Sequence, residues 1–195
     1  MRESFFMQPF CSEGCLSPVY QHVRFLDAKH ICMMHAGELS MGRTLIAFFS
    51  MTRNLSYGKV KKLVKGHTEQ AADLICDTIG GDLYRINKTE ALLPENIEYP
   101  KEITDMDTYD TVYLGYPICC HNMPAPVKEF LKKYSFAGKT IIPFCTHSGS
   151  GRGRSADEIK LICPDAKLSR GLAAAGAQLL SDPGRIRRWA EESMQ

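Results

Sequence analysis

The sequence lacks long hydrophobic runs, and its apolar stretches are interrupted after a few residues. A membrane-spanning helix needs about twenty consecutive apolar residues, so we expect no segment that spans a bilayer. The sequence also lacks an excess of charge of either sign, because 24 basic residues face 22 acidic ones. With a formal net charge of +2, no overall field attracts nucleic acid or an anionic membrane surface.

A secretory signal is also missing, since the segment Met1–Phe10 has neither a long apolar centre nor a small-residue cleavage site. Eight cysteines are scattered through segments that resemble core strands and helices. Without a sign of export, this distribution favours reduced thiols over disulfides. We therefore expect a cytoplasmic protein.

Residues 1–40 show no sustained hydrophobic period. They contain scattered cysteines and histidines, but no pairs at the short fixed spacing of a tetrahedral metal site, so we expect no bound metal. We interpret this segment as an N-terminal extension without regular structure, and residues 41–195 as one domain. Because Met41 directly precedes the first regular strand, a hypothesis is that translation begins there, and the intact mass of the native protein tests it.

A regular pattern begins at Thr44. The continuously apolar segment Thr44–Phe49 is typical of a parallel strand that is buried on both faces. A charged loop, Ser50–Lys65, follows it. The next segment predicts a helix that ends at Gly80-Gly81, because its apolar residues recur at helical spacing: Ala71, Ala72, Ile75 and Ile79.

The end of this strand and the start of this helix predict an anion-binding corner. Backbone N–H groups in the first turn of a helix have no intrahelical partner, and the helix dipole favours negative charge there. Hydroxyl groups stand at both positions, at Ser50 and in the segment Gly66-His67-Thr68. Two alternatives remain open. Each hydroxyl taken alone is as typical of an ordinary helix cap as of an anion site, and the lysines of the loop are typical of a solvated surface as well as of contact with a phosphate.

The remaining chain alternates strands and helices. Pro143 lies inside one strand, where it cannot donate a ladder hydrogen bond, and a bulge is possible there. The segment Asn87–Asp110 shows little periodicity and predicts an irregular crossover. The predicted strands are Asp82–Ile86, Thr111–Gly115, Thr140–Cys145 and a weak one at Ala166–Leu172. The predicted helices are one after Pro124 that buries Val127, Phe130, Leu131 and Tyr134, one capped by Ser155, and one capped by Asp182-Pro183.

Five strands that alternate with helices predict a doubly wound α/β fold, in which helices cover both faces of a parallel sheet. Ligands in such folds bind outside the carboxyl ends of the strands, where the strand order reverses. Three unusual loops follow strands: Ser50–Thr68, Tyr116–Met123 and Thr146–Ser155. We expect these loops to converge on one ligand.

Several separated motifs resemble the flavodoxin family, in particular bacterial flavodoxin-like proteins. They are Leu45–Ser50 with Gly66-His67-Thr68-Glu69, Tyr109–Ile118, Met123-Pro-Ala-Pro126, and Gly138–His147 with Gly149–Ser155. The resemblance covers residues 42–195. It implies a flavodoxin-like sheet of five parallel strands in the order 2-1-3-4-5.

The resemblance also implies bound FMN, with Ser50, Thr52, His67 and Thr68 at the phosphate. Residues that would flank the flavin ring are Pro117, Ile118, Cys119, Cys120, His121, Asn122, Thr146, His147, Ser148, Gly149 and Gly151. The implied function is electron transfer to a redox partner protein, or NAD(P)H-dependent reduction of a small molecule such as a quinone. No side chain need be catalytic, because the cofactor performs the redox chemistry.

Cys119-Cys120 stands where relatives commonly have aromatic residues. The loss of an aromatic neighbour lowers flavin affinity about tenfold. An alternative function is therefore a flavodoxin-fold binding module in which FMN binding is weakened or lost. Two further questions stay open: whether the thiols exchange electrons with a flavin or only fill space, and whether His121 and His147 donate to the ligand or only within their loops.

Overall fold

The computed structural model describes residues 42–56, 59–86 and 102–195. In these ranges the strands are β1 (Arg43–Phe48), β2 (Arg53–Ser56), β3 (Lys59–Lys62), β4 (Asp82–Arg85), β5 (Tyr109–Pro117), β6 (Thr140–His147), β7 (Lys167–Leu168) and β8 (Leu172–Ala175). The helices are α1 (His67–Ile79), α2 (Ala125–Lys133), α3 (Ser155–Ile162), α4 (Gly176–Ser181) and α5 (Pro183–Glu192), and a short 3-10 helix, Met106–Thr108, precedes β5. None of the helices in these ranges is both long and apolar enough to cross a bilayer.

The main sheet is parallel and has the order β4-β1-β5-β6, followed by a fifth position that β7 and β8 share. Counted by position along the chain, this order is 2-1-3-4-5. The predicted doubly wound α/β fold is therefore confirmed. In this order the chain reverses direction across the sheet between β1 and β5, so the switch point lies at their carboxyl ends.

The fifth position of the sheet is split. β7 pairs with the start of β6 at Thr140 and Ile141, whereas β8 pairs with its end from Phe144 onwards. The gap falls opposite Pro143, which has no N–H to donate. The prediction of a single strand over residues 166–172 is therefore wrong in its bounds. The predicted possibility of a bulge at Pro143 is also wrong, because Pro143 stays in register with Leu114 of β5.

Two apolar clusters cover the two faces of the sheet. β1 contributes to both, because successive side chains of a strand point to opposite faces. Leu45 and Ala47 lie in the cluster under α2 and α3, and Ile46 and Phe48 lie in the cluster under α1 and α5. The continuous apolar pattern of β1 thus has the predicted cause, which is burial on both faces.

The segment between β1 and α1 differs from its prediction. Residues Arg53–Ser56 and Lys59–Lys62 form an antiparallel two-stranded sheet, with Arg53 opposite Lys62. The expected charged loop is therefore partly a hairpin. The number of lysines in this segment favoured a loop, but the alternation Lys59-Val60-Lys61 has the period of two that a strand requires.

Two predictions fall partly or wholly outside the described residues. They are the N-terminal extension, residues 1–40, and most of the irregular crossover Asn87–Asp110. Within the described part of that crossover, Met106 begins the short 3-10 helix, and Tyr109 begins β5.

A buried ion pair ties α1 to β4. The Arg85 guanidinium donates to both carboxylate oxygens of Glu69 at 3.1 Å, and the two side chains are 7% and 1% exposed. Glu69 lies in the first turn of α1, and its backbone N–H donates to Ser50 Oγ at the end of β1. The start of α1 is therefore fixed to two neighbouring strands.

We predict that Arg85→Met lowers the free energy of unfolding by about 3–5 kcal/mol, because it leaves the Glu69 carboxylate buried without its cation. The matched control is Lys133→Met, which breaks an exposed pair with Glu102 and should change the free energy of unfolding far less, because solvent screens that pair. Urea denaturation measures both values. Equal losses in the two variants would contradict a structural role for the buried pair.

Candidate functional site

The three loops that follow β1, β5 and β6 meet around one cleft of about 340 Å³. It lies at the carboxyl ends of these strands, as the fold predicts. The lining residues are Met51, His67, Thr68, Pro117, Ile118, Cys119, Cys120, Thr146, His147, Ser148 and Gly176.

One end of the cleft is built on the N-terminus of α1. Thr68 Oγ1 lies 2.9 Å from Thr146 Oγ1, and this buried hydrogen bond joins the helix to the end of β6. Ser50 Oγ accepts the Glu69 N–H at 3.2 Å, so the Ser50 hydroxyl caps the helix from outside. The Glu69 carboxylate would repel an anion, but its buried pair with Arg85 offsets that charge. The positive end of the α1 dipole is therefore not opposed by an unneutralised carboxylate at this end of the cleft.

His67 depends on a glycine of α4 for its position. A Cβ atom added at Gly176 would lie 2.3 Å from His67 Nδ1, well inside van der Waals contact. Any other residue at position 176 would therefore move the imidazole. Gly176 and Met51 line the cleft although the sequence did not single them out; the only signal was the run of small residues, Ala173–Ala177, that contains Gly176.

The segment Cys119–Asn122 forms a tight turn at the other end of the cleft. Cys119 and Asn122 exchange two backbone hydrogen bonds of 3.0 Å, and the central residues Cys120 and His121 have φ of 50° and 64°. Positive φ at both central positions is the feature of a type I′ turn, which usually contains Asn or Gly. The carbonyl of His121 accepts the N–H of Arg154 at 2.9 Å. This bond braces the turn against the loop that follows β6.

Burial disfavours the thiolate form of two cysteines, Cys119 at the cleft and Cys145 in β6. Burial, followed by the neighbouring Cys120, raises the pKa of Cys119 above its ordinary value. Deeper in β6, burial raises the pKa of Cys145 to about 11. Because the thiolate is the reactive form, these shifts disfavour thiol chemistry. All five cysteines in the described ranges are free thiols.

His147 presents a neutral imidazole to the cleft. Its Nδ1 accepts the N–H of Gly149 at 3.0 Å, so the ring proton lies on Nε2. Burial lowers the pKa of His147 below the ordinary 6.5. The structure thus provides a neutral hydrogen-bond donor beside the loop that follows β6.

Comparison with known proteins identifies the family. A family model described as Flavodoxin matches residues 94–192, about half of the chain. The chain belongs to the flavodoxin family.

Solved structures have the same flavodoxin fold. A protein described as a flavoprotein from Bacteroides eggerthii DSM 20697 is 26% identical with a TM-score of 0.51, and the match covers 74% of this chain and 97% of that one. A second one, from Bacteroides uniformis ATCC 8492, is 23% identical with a TM-score of 0.53, covering 77% and 98%. Oxidised Flavodoxin 2 from Bacillus cereus is 19% identical with a TM-score of 0.51, covering 76% and 94%. A search of curated protein sequences finds no match.

The residues predicted from the flavodoxin resemblance fall into two groups. Nine line the cleft: His67, Thr68, Pro117, Ile118, Cys119, Cys120, Thr146, His147 and Ser148. The other six do not line it, and they shape or support its loops: Ser50, Thr52, His121, Asn122, Gly149 and Gly151. For example, the carbonyl of Thr52 accepts the N–H of Leu63 at 2.7 Å and closes the base of the hairpin.

One local prediction about this site is wrong. Ser155 is the first residue of α3 and does not cap it; the N-cap is Arg154, without a side-chain cap hydrogen bond. The Ser155 hydroxyl donates to the carbonyl of Arg152 at 2.6 Å. The hydroxyl thus stabilises the end of the loop before α3. The sequence pattern alone does not distinguish a serine that caps a helix from a serine that closes the preceding loop.

We predict that His147 makes stability depend on pH. Folding lowers the pKa of this histidine, so its contribution to stability is fully present at a pH above the pKa of the unfolded state, about 6.5. The contribution is lost as the pH falls through the lower pKa of the folded state. The parent should therefore lose more stability than His147→Gln between about pH 7 and pH 5. Denaturant unfolding across that range measures the difference, and parallel losses in both proteins would contradict the shift.

Proposed function

We propose that the cleft at the carboxyl ends of β1, β5 and β6 binds FMN and that the protein is an FMN-dependent redox protein. The observation that carries the proposal is the position of the N-terminus of α1, which opens into a cleft at the switch point of a flavodoxin fold. The 26% identical structure from Bacteroides eggerthii is described as a flavoprotein, which supports the same ligand class.

The residues at the phosphate end fit FMN. His67 and Thr68 occupy the first turn of α1, where backbone N–H groups and the helix dipole stabilise a negatively charged group. Thr68 and Thr146 add hydroxyl groups on the cleft wall. Ser50 acts indirectly, since its hydroxyl holds the Glu69 N–H and so fixes the helix start. Phosphate binding here would need no arginine in the cleft.

The residues at the ring end fit a flat heterocycle. Pro117–Cys120 form one wall, and Thr146–Ser148 form another. The protonated Nε2 of His147 supplies a hydrogen-bond donor, and burial disfavours a thiolate at Cys119 beside the ring. When bound, FMN supplies the electron or hydride transfer chemistry, and the chain supplies binding, orientation and partial exclusion of water.

Two uses of a bound flavin follow from the resemblance. One is electron transfer to a redox partner protein, and the other is NAD(P)H-dependent reduction of a small molecule such as a quinone. We favour the reductase, because the near-neutral charge balance does not match a strongly acidic carrier that docks on basic partners. We also propose a cytoplasmic location, supported by the free thiols of the described ranges.

One observation favours the alternative function, a flavodoxin-fold binding module with weak FMN binding. Among the lining residues of the cleft there is no phenylalanine, tyrosine or tryptophan. An aromatic stacking partner contributes about 0.5–1.5 kcal/mol beyond area burial, so the flavin ring would be held less tightly here. Imidazole rings at His67 and His147 compensate only in part.

We predict that Thr68→Val weakens FMN binding about tenfold, because it removes a hydroxyl from the phosphate end and leaves Thr146 Oγ1 without its partner. The matched control is Thr78→Val in the same helix, whose hydroxyl donates to the carbonyl of Leu74 at 2.6 Å, away from the cleft. Quenching of flavin fluorescence measures both affinities. Equal affinity of the parent and Thr68→Val would contradict the phosphate site.

Steady-state kinetics distinguish the two redox uses. The FMN-loaded protein should oxidise NADH or NADPH in the presence of a quinone, and the rate should depend on added FMN. Slow oxidation with every quinone, combined with rapid reduction of the bound flavin by a reductase protein, would favour the carrier. A protein that binds no FMN at millimolar concentration would favour the binding module.

A further inference from the structure

A second cleft, of about 710 Å³, lies at the open edge of the main sheet. Its walls are the connection between β7 and β8 (Ser169–Gly171), the start of β8 and one side of α5. It shares no lining residue with the cleft at the carboxyl ends of β1, β5 and β6, where we propose that FMN binds. Ligand binding in the second cleft therefore does not depend on the function proposed above. The size falls within the range of small-ligand sites, about 300–1,000 Å³.

Four arginine residues from three separate segments line this second cleft. Arg152 comes from the loop after β6, Arg170 from the connection between β7 and β8, and Arg185 and Arg188 from α5. Glu192 is the one acidic side chain among the lining residues. Like charges facing one cavity repel each other, and a bound anion relieves that repulsion.

Most of this positive charge is not neutralised by the protein. Arg152 Nη2 donates to the carbonyl of Gly171 at 3.1 Å, which orients the guanidinium but leaves its charge. Arg188 lies 3.8 Å from Asp182, and both side chains are more than half exposed. Within the described parts of the chain, no carboxylate lies within 4 Å of the other two guanidinium groups.

An aromatic wall stands beside the arginines. Trp189 is half-buried and lines the cleft, and its ring meets Tyr113 edge to face with centroids 5.8 Å apart. The Tyr113 hydroxyl lies 2.7 Å from Ser193 Oγ, which in turn donates to the carbonyl of Ala190. These contacts hold the indole in place, so the cleft combines fixed aromatic surface with several guanidinium groups.

We propose that this second cleft binds a phosphorylated ligand of nucleotide size, with its phosphates on the arginines and its base against Trp189. Arginine matches phosphate oxygens with paired N–H donors, and aromatic side chains stack on bases at about 1–3 kcal/mol each. The chemical group that this cleft would recognise is a nucleoside diphosphate. Two kinds of ligand contain that group: a free nucleotide, and a dinucleotide through its adenosine diphosphate part.

The test uses the fact that Trp189 is the only tryptophan in the chain. ADP titrated into the full-length protein should quench its fluorescence to saturation, and calorimetry should give one site per chain. Arg170→Gln and Arg188→Gln should each raise Kd about tenfold. The matched control is Arg187→Gln on the same helix, whose guanidinium donates to Thr78 Oγ1 at 3.3 Å, and Kd should not change.

Further titrations distinguish a free nucleotide from a dinucleotide, and they test this second cleft independently of the proposed FMN site. Pyrophosphate and adenosine should each bind more weakly than ADP. Tighter binding of NAD⁺ than of ADP identifies the dinucleotide, and weaker or equal binding identifies the free nucleotide. The Kd for ADP should be the same in Thr68→Val, which tests the flavin site only.

Three results would overturn the proposal. The first is no saturable binding of ADP at millimolar concentration. The second is a loss of affinity in Arg187→Gln as large as in Arg188→Gln, since it would indicate unspecific attraction to surface charge. The third is tight binding of an acidic peptide or a single-stranded oligonucleotide by a protein that does not bind ADP.

Discussion

The parallel pairing of β1, β5 and β6 is the constraint on which the rest of the structure depends. Parallel strands bring their carboxyl ends to one edge of the sheet, so the loops after these strands must meet there. The register aligns Phe48, the last residue of β1, with Gly115 and Gly115 with Phe144, and β5 and β6 continue from there to Pro117 and His147. The cleft exists because of this alignment, and the side chains in the loops give it its chemistry.

Helix α1 brings its N-terminus to this edge, where the helix dipole favours a negative charge. Its first turn is held from two sides, by the Ser50 hydroxyl on the Glu69 N–H and by Arg85 on the Glu69 carboxylate. Both contacts lie behind the cleft and leave Thr68 on the cleft wall. The buried ion pair therefore has two effects, since it fixes the helix and removes a negative charge that would repel a phosphate.

Much of the fold was predictable because its hydrophobic pattern is local. Burial on both faces makes Leu45–Phe48 continuously apolar, and helical spacing marks the buried side of α1. Features that depend on packing between distant segments were not predictable. The split of the fifth strand depends on which neighbour Pro143 faces, and Gly176 reaches the cleft only through the position of α4 against His67. The left-handed backbone at Cys120 has no local signal, because cysteine does not favour that conformation.

The most direct test of a phosphate site at α1 compares FMN with riboflavin, which has the same ring and no phosphate. A ligand that binds only the folded state raises the melting temperature, and at a fixed concentration the tighter ligand raises it more. We predict that millimolar FMN raises the melting temperature of the purified protein clearly more than riboflavin does. Equal shifts with both ligands, or no shift with FMN, would contradict the assignment of this corner to a flavin phosphate.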